Sequence, residues 1–177
     1  MKEEIIKTRI REIPNFPKEG INFKDITPLL KDPILVGQII DYSESLLAEG
    51  QVDGIAGIES RGFLFGFLLA KQMKVPFIPI RKKGKLPHKT ISVRYGLEYG
   101  TDEVEMHLDA VEKGQRIIIH DDLLATGGTA AAAAELISVG GAEVVGFHFL
   151  VNLLQLNGVD KLKGYSENII SITKYTS

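Results

Sequence analysis

Residues Arg116 to Thr129 read RIIIHDDLLATGGT, and no other segment of the chain narrows the possible folds as far. An apolar run ends in two adjacent carboxylates, Asp121 and Asp122. A short loop rich in Gly and Thr follows, and an Ala-rich helical stretch begins inside it. Gly127 and Gly128 let backbone N–H groups come close to a phosphate, because no side chain intervenes. The N-terminus of the following helix adds unpaired donors and a partial positive charge. Thr126 and Thr129 add hydroxyl donors, and the two acids lie within reach of sugar hydroxyls. Strand, acidic pair, small-residue loop and helix, in that order, suit a protein that holds a sugar phosphate.

The rest of the chain supplies a frame for that segment. Asp32 is a plausible cap for a helix over Pro33–Gly50, which Gly50 ends. Short apolar runs over Val52–Ile58, Val75–Ile80, Ile117–Ile119 and Glu143–Val151 read as strands. Helical patterns over Gly62–Lys74 and Thr129–Val139 alternate with them, which predicts an α/β fold: a doubly wound parallel sheet with helices on both faces. Ile13 to Lys31 holds Pro14, Pro17, Gly20 and Pro28 and reads as irregular. Between Lys82 and Val111 the pattern turns polar and basic, a long loop or a flap of two extended strands over Thr90–Tyr95 and Glu103–His107. A loop of that length in a compact domain is usually functional. Ligands of open parallel sheets bind beyond the carboxyl ends of the strands. Three loops leave such ends: Glu59–Gly62, Arg81–Lys85 and His120–Thr129. Two are basic and the third holds the acids, a division suited to a sugar diol carrying several phosphates.

Composition removes several alternatives. The 177 residues suit one domain, and the net charge of −2 argues against general nucleic-acid or anionic-membrane binding. With no cysteine, disulfides, thiolate metal sites and a Cys nucleophile are excluded. Met1 to Arg11 is charged and lacks the apolar core of a secretory signal, so a cytoplasmic location is expected. Val144 to Leu154 is too short to span a bilayer.

IHDDLLATGGT is similar to the phosphoribosyl-pyrophosphate motif of the type I phosphoribosyltransferase family, in the version of its adenine-using branch. FPKEGINFKDITPLLKDP (Phe16 to Pro33), GIESRGFLFG (Gly57 to Gly66), IRKKGKLP (Ile80 to Pro87) and GLEYGTDEVEMH (Gly96 to His107) resemble the same family in the same order. The resemblance implies one domain over 1–177, with a base-recognition hood at 1–32 and a flap at 82–107. It implies transfer of a phosphoribosyl group from phosphoribosyl pyrophosphate to adenine, giving AMP and pyrophosphate, in purine salvage. Asp121 and Asp122 would hold the ribose hydroxyls, and Ala125, Thr126, Gly127, Gly128 and Thr129 the 5′-phosphate. Ser60 and Arg61 would hold pyrophosphate, with Lys82 and Lys85 reaching it and Arg81 serving this site or a partner's. Phe23 and Leu123 would sandwich the base, and backbone near Asn22 and Lys24 would read its edge. Glu98 would be the acid/base group, with Tyr99 closing the flap and Gly84, Gly96 and Gly100 as hinges. The catalytic set is thus Glu98, Arg61, Asp121 and Asp122. Mg2+ is expected on substrate oxygens and water, with no direct protein ligand. A homodimer is implied as well.

The chain departs from the family at a few positions. His120 stands where an apolar residue is usual, and is expected at the rim of the sheet, tuning the neighbouring acids. Lys24 replaces a frequent Arg, keeping charge but not bidentate geometry. Asn22 replaces an apolar residue, and adenine preference is expected to survive because the contact is through backbone. His88, His107, His120 and His148 show no metal-ligand spacing. Two alternatives stay open: the same chemistry on guanine or xanthine, and a non-catalytic regulator that keeps the pocket as a sensor.

Overall fold

The computed structural model describes residues 3–47, 52–96 and 101–176. The chain opens with a short helix, α1 (Glu3–Lys7), then strands β1 (Arg11–Pro14) and β2 (Asn22–Asp25) and a 3-10 turn over Thr27–Lys31. Next come α2 (Pro33–Leu47), β3 (Gly54–Ile58), α3 (Gly62–Met73) and β4 (Phe77–Lys82). An antiparallel ribbon, β5 (Thr90–Gly96) and β6 (Thr101–His107), separates these from β7 (Arg116–Leu124) and α4 (Gly128–Val139). The chain then runs through β8 (Glu143–Leu153), α5 (Gly158–Leu162) and β9 (Ile169–Tyr175).

Seven strands form the main sheet in the order β5-β6-β4-β3-β7-β8-β9. From β4 to β9 every neighbour is parallel, as the alternation of strands and helices predicts. The period of two in the strands sorts side chains to two faces. Ile117, Ile119, Phe147 and Phe149 pack towards α4, and Ile55, Ile118 and Leu150 towards α2 and α3. On α4 the alanines at 130, 132, 133 and 134 are all buried, so small side chains bring this helix close to the sheet. Asp32 caps α2 as read from the sequence, its Oδ1 accepting the Leu35 N–H at 3.0 Å.

Three expectations change. Residues 13–31 are not irregular: β1 and β2 form a separate antiparallel pair, from Arg11 opposite Asp25 to Pro14 opposite Asn22. Gly20 and Pro17 fall in the connection, where Gly20 (φ 85°) donates its N–H to Asn15 Oδ1 at 2.9 Å; Pro14 ends β1 and Pro28 opens the 3-10 turn. Four-residue strands are too short for alternation to reveal. The flap strands exist near their predicted bounds, but β6 also pairs with β4, so the ribbon extends the main sheet. Val93, Val104 and Met106 supply the buried face that joins it to the core. Finally, β7 continues through both acids to Leu124, because β8 pairs along its whole length as far as Leu124 opposite Asn152. The sequence reading leaves α1, α5 and β9 unassigned. No described helix is long and apolar enough to cross a membrane.

Candidate active site

The site sits where β7 gives way to α4. Gly127 adopts φ 75°, and a Cβ there would lie 2.6 Å from the carbonyl oxygen of Gly158, so the turn requires glycine. The loop thereby folds into a small cup of about 80 Å3, lined by Asp121, Leu123, Leu124 and residues 125–130. All five residues predicted to hold a phosphate (Ala125, Thr126, Gly127, Gly128, Thr129) line it, and α4 starts inside it.

A second cavity, of about 580 Å3, adjoins the cup and shares Asp121, Leu123 and Thr129 with it. Ser60, Arg61, Arg81, Lys82 and Asp122 converge on it from three different strand ends. Helix α3 places Arg61. Two glycines one turn apart, Gly62 and Gly66, let that helix lie flush on β7. A Cβ at Gly62 would stand 3.1 Å from the Asp121 Cα, and one at Gly66 would stand 3.0 Å from the His120 ring. The guanidinium of Arg61 is thereby delivered to Asp122, with Nε 2.8 Å from Oδ2.

The two acids differ in setting. Asp122 is 4% exposed, while Asp121 is half-buried. Burial raises the pKa of Asp121, and the charge of Asp122 raises it further. Burial also raises Asp122, against the opposing pull of Arg61. The pair is therefore a poorly solvated acceptor surface that gains by meeting hydroxyl donors.

Arg81 is already engaged: Nε and Nη2 each donate to Glu59 at 3.1 Å, and Nη1 donates to the Lys85 carbonyl at 2.9 Å. Lys82 Nζ lies 3.1 Å from Asp102 Oδ2. Lys85 lines neither cavity; its N–H donates to the buried Glu105. Burial pushes the Glu105 carboxyl up, but N–H groups from Leu86, Lys85 and Gly84 and the Thr90 hydroxyl bring it below the usual range. Glu105 therefore shapes the basic loop, and Glu103 pairs with Lys83. Neither lines the cavity.

The base-recognition candidates are gathered less tightly. Phe23 lies under the Arg61 guanidinium, 4.8 Å from its ring centroid, and so borders the cavity without lining it. Asn22 donates through Nδ2 to Glu12 at 2.7 Å. The Lys24 side chain points away, 1% exposed, with Nζ 3.0 Å from Glu12 and 4.4 Å over the Tyr175 ring. Neither residue lines either of the two cavities. His120 is not at the rim: it is fully buried against His148. Glu98, Tyr99 and Gly100, like the helix stop at Gly50, lie outside the described residues. Sequence reasoning missed Glu59, Tyr95 and Asp102, which line the larger cavity. Glu59 was legible as the neighbour of Ser60, but the other two become visible only once the ribbon folds over the sheet.

A glycine-turned cup, twin acids and a cationic cavity meet at the carboxyl ends of a parallel sheet, an arrangement suited to a phosphorylated sugar. The phosphoribosyl transferase domain model matches residues 26–175. The adenine phosphoribosyltransferase of Acetivibrio thermocellus is 54% identical over 171 residues, covering 96% of this chain and 99% of its own. The crystal structure of adenine phosphoribosyltransferase from Thermoanaerobacter pseudethanolicus is 52% identical, with a TM-score of 0.94 over 98% of this chain and 100% of that one. The Saccharomyces cerevisiae enzyme, complexed with adenine and an imino-altritol bisphosphate, is 39% identical, with a TM-score of 0.89 and coverage of 96% and 97%. The chain belongs to the phosphoribosyltransferase family. Within that family it groups with the adenine phosphoribosyltransferases.

Proposed function

We propose that this protein transfers the 5-phosphoribosyl group of phosphoribosyl pyrophosphate to adenine, forming AMP and pyrophosphate. One observation carries the reading: the phosphate cup and the cationic cavity are contiguous, with Asp121, Leu123 and Thr129 common to both. A sugar bound at the acids has its 5′-phosphate on one side and its diphosphate on the other. Cleaving the bond at C1′ builds positive charge on the ring and negative charge on the leaving group, so fixed charges should supply the largest share of the acceleration. Arg61 and Lys82 face the departing diphosphate, Asp121 and Asp122 hold the ribose hydroxyls, and Ala125–Thr129 hold the phosphate. Leu123 and Phe23 flank the base, and Glu98 exchanges the purine proton.

Among the described residues, no cluster of three or more His, Cys, Asp or Glu is placed to hold a metal. The carboxylates in the larger cavity are nonetheless hard oxygen donors, the type that suits Mg2+. We assign Mg2+ to the substrate and its water, with Asp121 and Asp122 orienting the hydroxyls it would share. Bound there, it would offset diphosphate charge.

The family reading also implies a cytoplasmic homodimer, and one face of α3 offers the surface. Phe67 is 57% and Leu64 41% exposed. Phe63 and Phe67 both meet Phe77 edge-on, at 5.7 and 5.8 Å.

The deciding experiment incubates the protein with Mg2+, phosphoribosyl pyrophosphate and each purine in turn. AMP should form from adenine much faster than nucleotide forms from guanine or xanthine. Preference for another base would sink the adenine assignment, and no nucleotide from any base would sink the transferase reading.

A further inference from the structure

Tyr95 and Asp102 stand directly opposite one another in the register of the ribbon, and both line the larger cavity. Each occupies a donor belonging to a different anion-binding loop. Thr129, in the phosphate loop, donates its hydroxyl to Tyr95 Oη at 3.3 Å. Lys82, at the start of the basic loop, gives its ammonium to Asp102 at 3.1 Å. The ribbon therefore engages one group from the phosphate cup and one from the cation cluster.

The Asp102 contact is the more consequential, because a carboxylate in a polyanion site opposes charge complementarity. The other carboxylates there are otherwise employed. Glu59 is clamped by Arg81, Asp122 is paired with Arg61, and Asp121 accepts the Asp122 N–H at 2.9 Å. Asp102 is ionised: the Glu103 N–H and then Lys82 hold it below the usual carboxylate range. As a stability device the pair is weak, since Lys82 is 63% and Asp102 26% exposed.

We propose that Asp102 is a resident counter-anion for Lys82, displaced when the diphosphate of the substrate arrives, and that it sets the affinity of the site for diphosphate. The proposal rests on the phosphoribosyl-transfer reading. A diphosphate that takes Lys82 leaves Asp102 without that cation and beside a like charge. Binding is weakened by both effects. After transfer, Asp102 recaptures Lys82 and favours departure of the pyrophosphate product. Asp102 touches the group that touches substrate, so it is a positioning residue that tunes affinity.

The test is calorimetric titration of magnesium pyrophosphate into wild type, Asp102→Asn, Lys82→Gln and the double variant. Removing the counter-anion should tighten binding by about two- to fivefold, the range expected of a partly exposed charge pair. The KM for phosphoribosyl pyrophosphate should fall by a similar factor, which a merely structural role would not produce. Competition for Lys82 further requires that the gain from Asp102→Asn shrink in the Lys82→Gln background. Unchanged or weaker binding in Asp102→Asn, or an equal gain without Lys82, overturns the proposal alone. Wild type that takes up no pyrophosphate overturns it together with the functional reading. Asp102→Ser repeats the comparison should the Asn variant fail to fold.

Discussion

His120 and His148 meet Nδ1 to Nδ1 at 2.8 Å, on neighbouring strands β7 and β8, with both rings removed from solvent. One nitrogen must donate and the other accept, and burial keeps both rings uncharged, so the two are of opposite tautomer. One carries its proton on Nδ1 and the other on Nε2. Nitrogen-15 NMR of labelled histidine should find one ring of each kind. Two rings of the same tautomer would contradict the geometry.

This pair makes stability sensitive to acid. Burial pushes His120 from 6.5 down to about 4. Burial, and then the charge of His120, pushes His148 down as well. The unfolded chain takes up protons near pH 6.5 while the folded rings refuse them. Stability should therefore be complete above that pH and fall as pH drops from 6.5 towards 4, by about 1.4 kcal/mol per pH unit for each fully affected ring. Between pH 6.5 and 5 ordinary carboxylates titrate little, but the raised Asp121 and Asp122 contribute there with the opposite sign, so the effect of the pair is read from the difference between urea melts of wild type and a variant lacking one ring. A His120→Leu variant should show a flatter profile; an equally steep one would clear the pair of responsibility.

In the proposed reaction Asp122 accepts hydrogen bonds from the ribose. Asp122→Asn keeps the shape, weakens the link to Arg61 and removes a charged acceptor from the ribose site. Loss of one charge-assisted hydrogen bond should lower kcat/KM by about 10- to 100-fold with the melting temperature nearly kept. Near-normal turnover would remove Asp122 from the catalytic set.

Gly127 tests the cup. An alanine there would have to hold φ 75° with its Cβ 2.6 Å from the Gly158 carbonyl. Gly127→Ala should cost at least about 1–2 kcal/mol, seen as a melting temperature lower by about 3–6 °C, and should weaken binding of ribose 5-phosphate. An unshifted melting curve with full affinity would show that the turn does not need glycine.

Glu98 is assigned from its motif position. Glu98→Gln should leave affinity for phosphoribosyl pyrophosphate unchanged while slowing transfer by about 10²-fold or more. If binding falls and the single-turnover rate does not, the acid/base role belongs elsewhere.

Much of the fold was legible because its signals are local. Apolar strands, an Asp cap on α2 and alanines on α4 each announce an element within a few residues. The cup at residues 125–129 was legible for the same reason, since a glycine turn, its hydroxyls and the helix behind it are consecutive. Strands β1 and β2 were hidden because four residues are too few to show a period. His120 was misplaced because its partner lies 28 residues away, and only the parallel pairing of β7 with β8 sets the two side by side.

The sequence by itself determined the alternating α/β order, the cup at residues 125–129 and the acids beside it, since chain neighbours stay neighbours in any fold. Tertiary structure alone decided which distant charges meet. It turned the Lys24 side chain inward, clamped Arg81 on Glu59, brought Arg61 to Asp122 through a glycine-lined helix contact, and laid Tyr95 and Asp102 over the cavity. These pairings depend on strand order and register. Both are fixed by burying two faces of one sheet at once, a constraint on the whole chain that no short segment can express.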